Sequence, residues 1–199
     1  MSGDSRIMNS AVDDVFFFIK QVNTLKKRNT MNLGEAIKTA LEYENKVVDV
    51  YSKYADQLNS PIASKIFRLL EEEEEGHVEY LNAKLAEWKE SGKITIDELT
   101  TVVPDASVIK ANVKKLEKVA KKENIDSEIE VFKKALKMES EASAFYRGVV
   151  GKLPKADQKL FLHFIEIEEG HEAIVKAEID NALGLGYWFD FMEFDLESA

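Results

Sequence analysis

Apolar residues recur at steps of three and four along four long segments of this chain, and a glutamate interrupts the middle of each stripe. The first stripe is Ile37, Ala40, Glu44, Val47, Tyr51, Tyr54 and Leu58. The second is Phe67, Leu70, Glu74, His77, Leu81, Leu85 and Trp88. The third is Phe132, Ala135, Glu139, Ala142, Tyr146, Val149 and Leu153, and the fourth is Phe161, Phe164, Glu168, His171, Val175, Ile179 and Ala182. This period predicts four amphipathic helices, each burying one face. The second and fourth stripes also carry a histidine three residues after the glutamate.

The punctuation agrees with the period. Ser60-Pro61 reads as an N-cap followed by proline at the first helical position. Pro154 separates the third segment from the fourth. Ser127 with Glu130 is a capping-box pattern opening the third segment, and Asn32 with Glu35 is a weaker version opening the first. The segments therefore pair into two helical hairpins, residues 33–91 and 127–183. Between them, residues 92–126 form a long crossover, in which Ile109, Val113, Leu116 and Ala120 predict a further helix starting near Asp105. The expected fold is all-α, a ferritin-like four-helix bundle of two antiparallel hairpins joined by a long crossover containing an extra helix. Residues 33–183 would form this bundle. Residues 1–32 read as an N-terminal extension with a short helix through Val12, Val15, Phe16, Ile19 and Val22, and residues 184–199 as an aromatic tail.

The tetrapeptide Glu-Glu-Gly-His occurs twice, ending at His77 and at His171. On a helix, the three-residue spacing of Glu74 with His77, and of Glu168 with His171, puts both side chains on one face. Height along the bundle is an independent check. Glu44 lies about 16 residues before the Ser60-Pro61 turn and Glu74–His77 about 13 to 16 after it, so both sit roughly 20–24 Å from the turn. Glu139 and Glu168–His171 stand in the same relation to Pro154. Antiparallel packing would bring all six side chains to one level. Gly76 and Gly170, just before the histidines, cost helix stability and suggest close helix approach or room beside the site.

Composition narrows the chemistry. The chain has 199 residues with 3 prolines, 9 glycines and no cysteine. The absence of cysteine removes disulfides, thiolate metal sites and thiol catalysis. The net charge of −10 argues against nucleic-acid binding. The apolar run Val15 to Ile19 is far too short to span a bilayer. No signal pattern follows Met1, so a cytoplasmic, membrane-free protein is the expectation.

Four carboxylates facing one another in a core would repel strongly, or take up protons, unless cations sit between them. Two divalent ions neutralise four carboxylates. Oxygen and imidazole ligands without sulfur suit iron, manganese or zinc. Glu74 and Glu168 would bridge the two metals, Glu44 and His77 would complete one, and Glu139 and His171 the other. Tyr51 and Tyr146, each two turns after the single glutamate of its helix, would reach a carboxylate on a neighbouring helix or serve as core aromatics. Glu73 is a candidate partner for the second nitrogen of His77, whereas its counterpart on the fourth helix is Ile167. His163 lacks a glutamate three residues before it and reads as structural.

These residues resemble the ferritin-like di-iron superfamily, and most closely its rubrerythrin-type branch. The carriers are Ala40-Leu41-Glu42-Tyr43-Glu44 with Tyr51, Glu74-x-x-His77, Ala135-Leu136-Lys137-Met138-Glu139 with Tyr146, and Glu168-x-x-His171. The resemblance implies two iron ions and reduction of O2 or hydrogen peroxide, and it makes a homodimer the expected assembly. There are two departures. Rubrerythrins usually append a four-cysteine rubredoxin domain, so electrons here would come from a separate donor such as a rubredoxin-like protein. They also usually carry a further glutamate one turn after the third-helix ligand, where this chain has Ala142. The more symmetric set resembles bacterioferritin-type sites. Substrate hydroxylation, dimanganese catalase chemistry and ferritin-like iron storage with ferroxidase activity are the competing functions.

Overall fold

The computed structural model describes residues 3–24, 31–58, 61–97, 99, 101 and 126–182. Five α-helices account for most of them: α1 (Gly3–Thr24), α2 (Leu33–Ala55), α3 (Pro61–Ser91), α4 (Asp126–Val150) and α5 (Lys159–Ala182). A short 3-10 turn, Lys155–Asp157, follows Pro154 between α4 and α5. The main packing is α2 on α3 and α4 on α5, with short connections. This is the all-α, ferritin-like bundle of two hairpins that the periodicity predicts. Every predicted stripe residue from Ile37 to Tyr54 is buried, as are Phe67, Leu70, Leu81 and Leu85 on α3. The stripe positions of α4, and Phe161 through Ile179 on α5, are buried too.

Local chemistry sets where the helices begin and end. Asn32 caps α2 by accepting from the Glu35 amide at 2.9 Å, and Glu35 accepts from the Asn32 amide at 3.2 Å. This reciprocal pair satisfies two otherwise orphaned donors, with a typical cap stabilising by about 1 kcal/mol. Pro61 is the first residue of α3. Helix α4 opens at Asp126, two residues before a cap at Ser127 would allow; the Ser127 side chain, like Ser60, lies outside the described residues. Helix α3 stops at Gly92, whose φ of 69° lies in the left-handed region, with its amide donating to Trp88 O at 2.8 Å.

The N-terminal segment is longer than the short helix its pattern suggests. Helix α1 has 22 residues and packs on both α2 and α4. It buries Ala11, Val12, Val15, Ile19 and Val22. Phe16 is only half-buried, with Lys137 Nζ 4.1 Å from its ring centroid, and Phe17 is exposed. The proposed crossover helix near Asp105 and the aromatic tail lie outside the described residues.

The described start of the crossover is fastened to α3. Glu87 accepts from the Thr95 amide and hydroxyl, both at 2.7 Å. The buried Lys84 ammonium pairs with Glu87 at 2.8 Å and with Asp97, while Tyr80 donates to Asp97 O at 3.0 Å. Lys84 and Thr95 together hold the Glu87 carboxyl down at about 2. A little further on, Leu99 is buried and Thr101 donates its hydroxyl to Glu73. Among the described residues no helix is long and apolar enough to cross a membrane.

Candidate metal centre

Each bundle helix turns one acidic position inward at the same level. Helix α2 supplies Glu44, α3 supplies Glu74 and His77, α4 supplies Glu139, and α5 supplies Glu168 and His171. All six are at most 1 % exposed, so water cannot solvate their charges. Four buried carboxylates with no compensating cation would be strongly unfavourable.

Glu74 lies between the two imidazoles. Its Oε2 is 2.9 Å from His77 Nδ1 and its Oε1 is 3.0 Å from His171 Nδ1. Glu168 also reaches both, with Oε1 3.6 Å from His77 Nδ1 and Oε2 3.8 Å from His171 Nδ1. Glu44 approaches only His77, at 3.8 Å, and Glu139 only His171, at 3.7 Å. The imidazole rings are nearly parallel, with centroids 5.5 Å apart and 11° between planes. Two four-residue groups result, each with ligand atoms mutually within 4.8 Å: Glu44, Glu74, His77 and Glu168, and Glu74, Glu139, Glu168 and His171. They share Glu74 and Glu168, the two residues assigned as bridges from the sequence.

The tyrosines cross between helices. Tyr51 on α2 donates to Glu139 on α4, and Tyr146 on α4 donates to Glu44 on α2. Each of those carboxylates thus keeps one oxygen held and one oxygen, Oε2, with no hydrogen-bond partner. Glu74 Oε1 and Glu168 Oε1 are in the same condition, as are His77 Nε2 and both nitrogens of His171. Buried polar atoms in native folds normally find partners. Orphaned lone pairs from four carboxylates and two imidazoles, gathered in one core, fit a pair of cations.

The electrostatics have the same origin. Burial, then the neighbouring Glu74 and Glu168, pushes the Glu44 carboxyl well above the usual carboxylate range. Burial and Glu74 likewise raise Glu168, against the pull of His171. Burial also works to raise Glu74, but the His77 and His171 imidazoles outweigh it and hold Glu74 well below that range. His171 is opposed by burial, yet the Glu139 and Glu74 carboxylates raise it well above an ordinary histidine. An ionised Glu74 can only accept, so the 2.9 Å contact is a hydrogen bond donated by His77 Nδ1.

Two expectations are refined. Glu73 is half-buried and accepts from Thr101, while His77 Nε2, its expected target, makes no hydrogen bond. A Glu73 oxygen nonetheless lies within 4.8 Å of a nitrogen of each histidine. Of the two expectations for Gly76, close helix approach or room, the structure gives room: a Cβ there would meet nothing within 4 Å. The close approach is at Gly34 instead, where a Cβ would lie 2.5 Å from the Trp88 ring. His163 stands apart from the cluster, with Nδ1 3.7 Å from Glu166.

Two residues of the site escape the sequence pattern. Tyr43 is fully buried and stacks on Phe145 at 4.6 Å, with its hydroxyl donating to Met138 O at 3.5 Å. Burial, then the nearby Glu168 and Glu44 carboxylates, raises its phenol well above the ordinary value. Its signals were adjacency to Glu44 and a place in the Ala40–Glu44 motif, neither of which assigned it a role. Thr101 had none, because its contact with Glu73 joins the crossover to α3.

The sequence model of the family described as Rubrerythrin matches residues 32–134. That segment contains Glu44, Tyr51, Glu74 and His77 and ends before Glu139, so the second half of the cluster rests on geometry. No curated protein and no solved structure matches the chain.

Proposed function

The chain belongs to the rubrerythrin family, and on that footing we propose that it is a di-iron carboxylate oxidoreductase, reducing hydrogen peroxide or O2 with electrons from a separate donor. The observation that carries this reading is the convergence of orphaned carboxylate oxygens and imidazole nitrogens in a sealed core. Bound iron would supply electrons by changing oxidation state, which zinc in the same ligands cannot do; manganese could. Glu44 and His77 would hold one ion and Glu139 and His171 the other, with Glu74 and Glu168 shared. Tyr146 and Tyr51 fix the orientation of Glu44 and Glu139. Phe164, fully buried with its ring 5.1 Å from that of His77, keeps water from that face. Reduction of one peroxide to two waters takes two electrons and two protons. In this reading a rubredoxin-like protein or equivalent delivers the electrons, and the working assembly is a cytoplasmic homodimer.

A second reading is iron binding and storage with ferroxidase activity. It is favoured by Ala142, buried where rubrerythrins usually add a glutamate, which leaves a symmetric six-ligand set. Metal analysis of protein purified without chelators, then stopped-flow absorbance of the ferrous form with peroxide and with air, tests both. Faster oxidation by peroxide supports the peroxidase reading. Faster oxidation by air, with a large cage in light scattering, supports storage. Fewer than one metal per chain, with no recovery on anaerobic ferrous addition, removes both.

A further inference from the structure

The end of the bundle where α3 stops and α4 turns into α5 carries a cleft that the metal cluster does not use. Its volume is about 210 Å³, and its walls include Leu33, Lys93, Ile94, Ile96, Ala156 and Asp157. An apolar cavity of about 150 Å³ admits a benzene ring, so this cleft has room for an aromatic side chain. Ile96 is 37 % exposed, and Leu162, in the first turn of α5, is 47 % exposed. Two of the three large apolar side chains exposed among the described residues therefore sit at this end.

The same end is basic. Lys89, Lys93, Lys155 and Lys159 are exposed and form no ion pair among the described residues. Glu90 and Asp157 are the acidic side chains of residues 89–96 and 152–159. A cationic, partly apolar surface on a chain of net charge −10 suits an acidic partner with apolar anchors. The chain itself contains such a segment. Residues 187–197 interleave Trp188, Phe189, Phe191, Phe194 and Leu196 with Asp190, Glu193, Asp195 and Glu197, and hold no lysine or arginine. The first of these aromatics cannot reach the cleft of their own molecule. Helix α5 has 24 residues and leads away from the cleft for about 36 Å. Phe189, seven residues past Ala182, extends at most about 25 Å from it. Phe191 would need a chain pulled nearly straight, at a high cost in conformational entropy. A second copy has no such limit.

We propose that this cleft receives the acidic aromatic segment 187–197 of a second copy of the chain, with an aromatic ring in the cleft and the carboxylates against Lys89, Lys93, Lys155 and Lys159. Made reciprocally, the exchange closes a two-fold dimer in which both copies use the same pair of surfaces. The cleft lies at the end of the bundle, apart from the buried ligands, so its occupancy does not depend on what the cluster binds.

The chain has no cysteine, so introduced thiols report without background. Ala156→Cys, in the cleft, and Met192→Cys, in the segment, are made in separate full-length chains, mixed and gently oxidised, and the disulfides are mapped by mass spectrometry. The expected product is a link between positions 156 and 192 of different chains, in clear excess over links between like positions. Adding Lys93→Glu and Lys155→Glu to the first chain should cut that link about ten-fold, and adding Asp190→Lys and Glu193→Lys to the second should restore it. A mixed link no more abundant than the like links overturns the proposal. So does a link that forms only when both substitutions are in one chain, which would put the segment in its own cleft. Failure of the charge swap to restore the link overturns the pairing of carboxylates with lysines on which the choice of segment rests.

Discussion

Glu74 sits between the two imidazoles of the core. One of its oxygens faces each imidazole, and it is the neighbour that most raises Glu168. Replacing it with glutamine keeps the shape and removes a charge that both ions would share. We expect Glu74→Gln to lower bound metal from two ions per chain to one or fewer, read by elemental analysis, while far-UV circular dichroism stays unchanged. The tyrosines act one step back. Tyr51→Phe and Tyr146→Phe each remove a hydrogen bond to a carboxylate, worth about 1.5–3 kcal/mol when the acceptor is charged. Each should weaken metal binding about 10-fold or more, and by similar factors, because the two contacts are mirror images across the bundle. Competition titrations against a calibrated chelator would measure it; a large loss in one variant and none in the other would contradict the symmetry.

Among the helices, α2 and α3 contain glycines of opposite character. Gly76 sits inside α3 with open space where a Cβ would go. Gly76→Ala should therefore stabilise the protein by about 0.5–1 kcal/mol, through helix propensity and reduced freedom of the unfolded chain. Gly34, in the first turn of α2, lies against the Trp88 ring near the end of α3. An alanine there overpacks a close contact, which typically costs about 1–3 kcal/mol and exceeds the propensity gain. Denaturant midpoints of the two metal-free variants should move in opposite directions from the parent. A downward shift for Gly76→Ala would mean that its backbone serves the site after all.

At the scale of the whole molecule, the core charges couple stability to metal and to pH. In the metal-free protein the raised carboxyls of Glu44 and Glu168 contribute stability below their unfolded value of 4.5 and lose it as pH rises through the folded values. The raised His171 has the same sign, with its contribution intact below 6.5 and lost above. Glu74 is depressed, so its contribution is present above 4.5 and is lost only in acid. Above 4.5 the net slope is therefore downward. Chelated protein should melt at progressively lower temperature from about pH 5 to about pH 8, because the native state is losing protons it holds more tightly than the unfolded chain. Saturating divalent metal should abolish the slope and raise the melting temperature, since ligand at about 1,000 times its Kd adds about 4 kcal/mol. Scanning calorimetry with and without chelator is the check, and a flat profile in chelator would remove the buried-charge account.

The sequence by itself determined the four bundle helices, their pairing into hairpins and the level at which Glu44, Glu74, His77, Glu139, Glu168 and His171 meet. Those properties follow from residue spacing along a regular helix, and a 3.6-residue period with two short turns leaves little freedom. The Asn32–Glu35 cap was legible for the same reason. Only the tertiary structure decided which oxygen faces which nitrogen, that Tyr51 and Tyr146 cross to each other's helix partner, and that Glu73 turns to Thr101 with both imidazoles beside it. It also decided that Gly76 has room while the close glycine contact lies at Gly34, and it extended the N-terminal helix along α2 and α4. Such contacts join residues far apart in the chain, where relative position depends on how whole helix faces pack, and no local pattern encodes that.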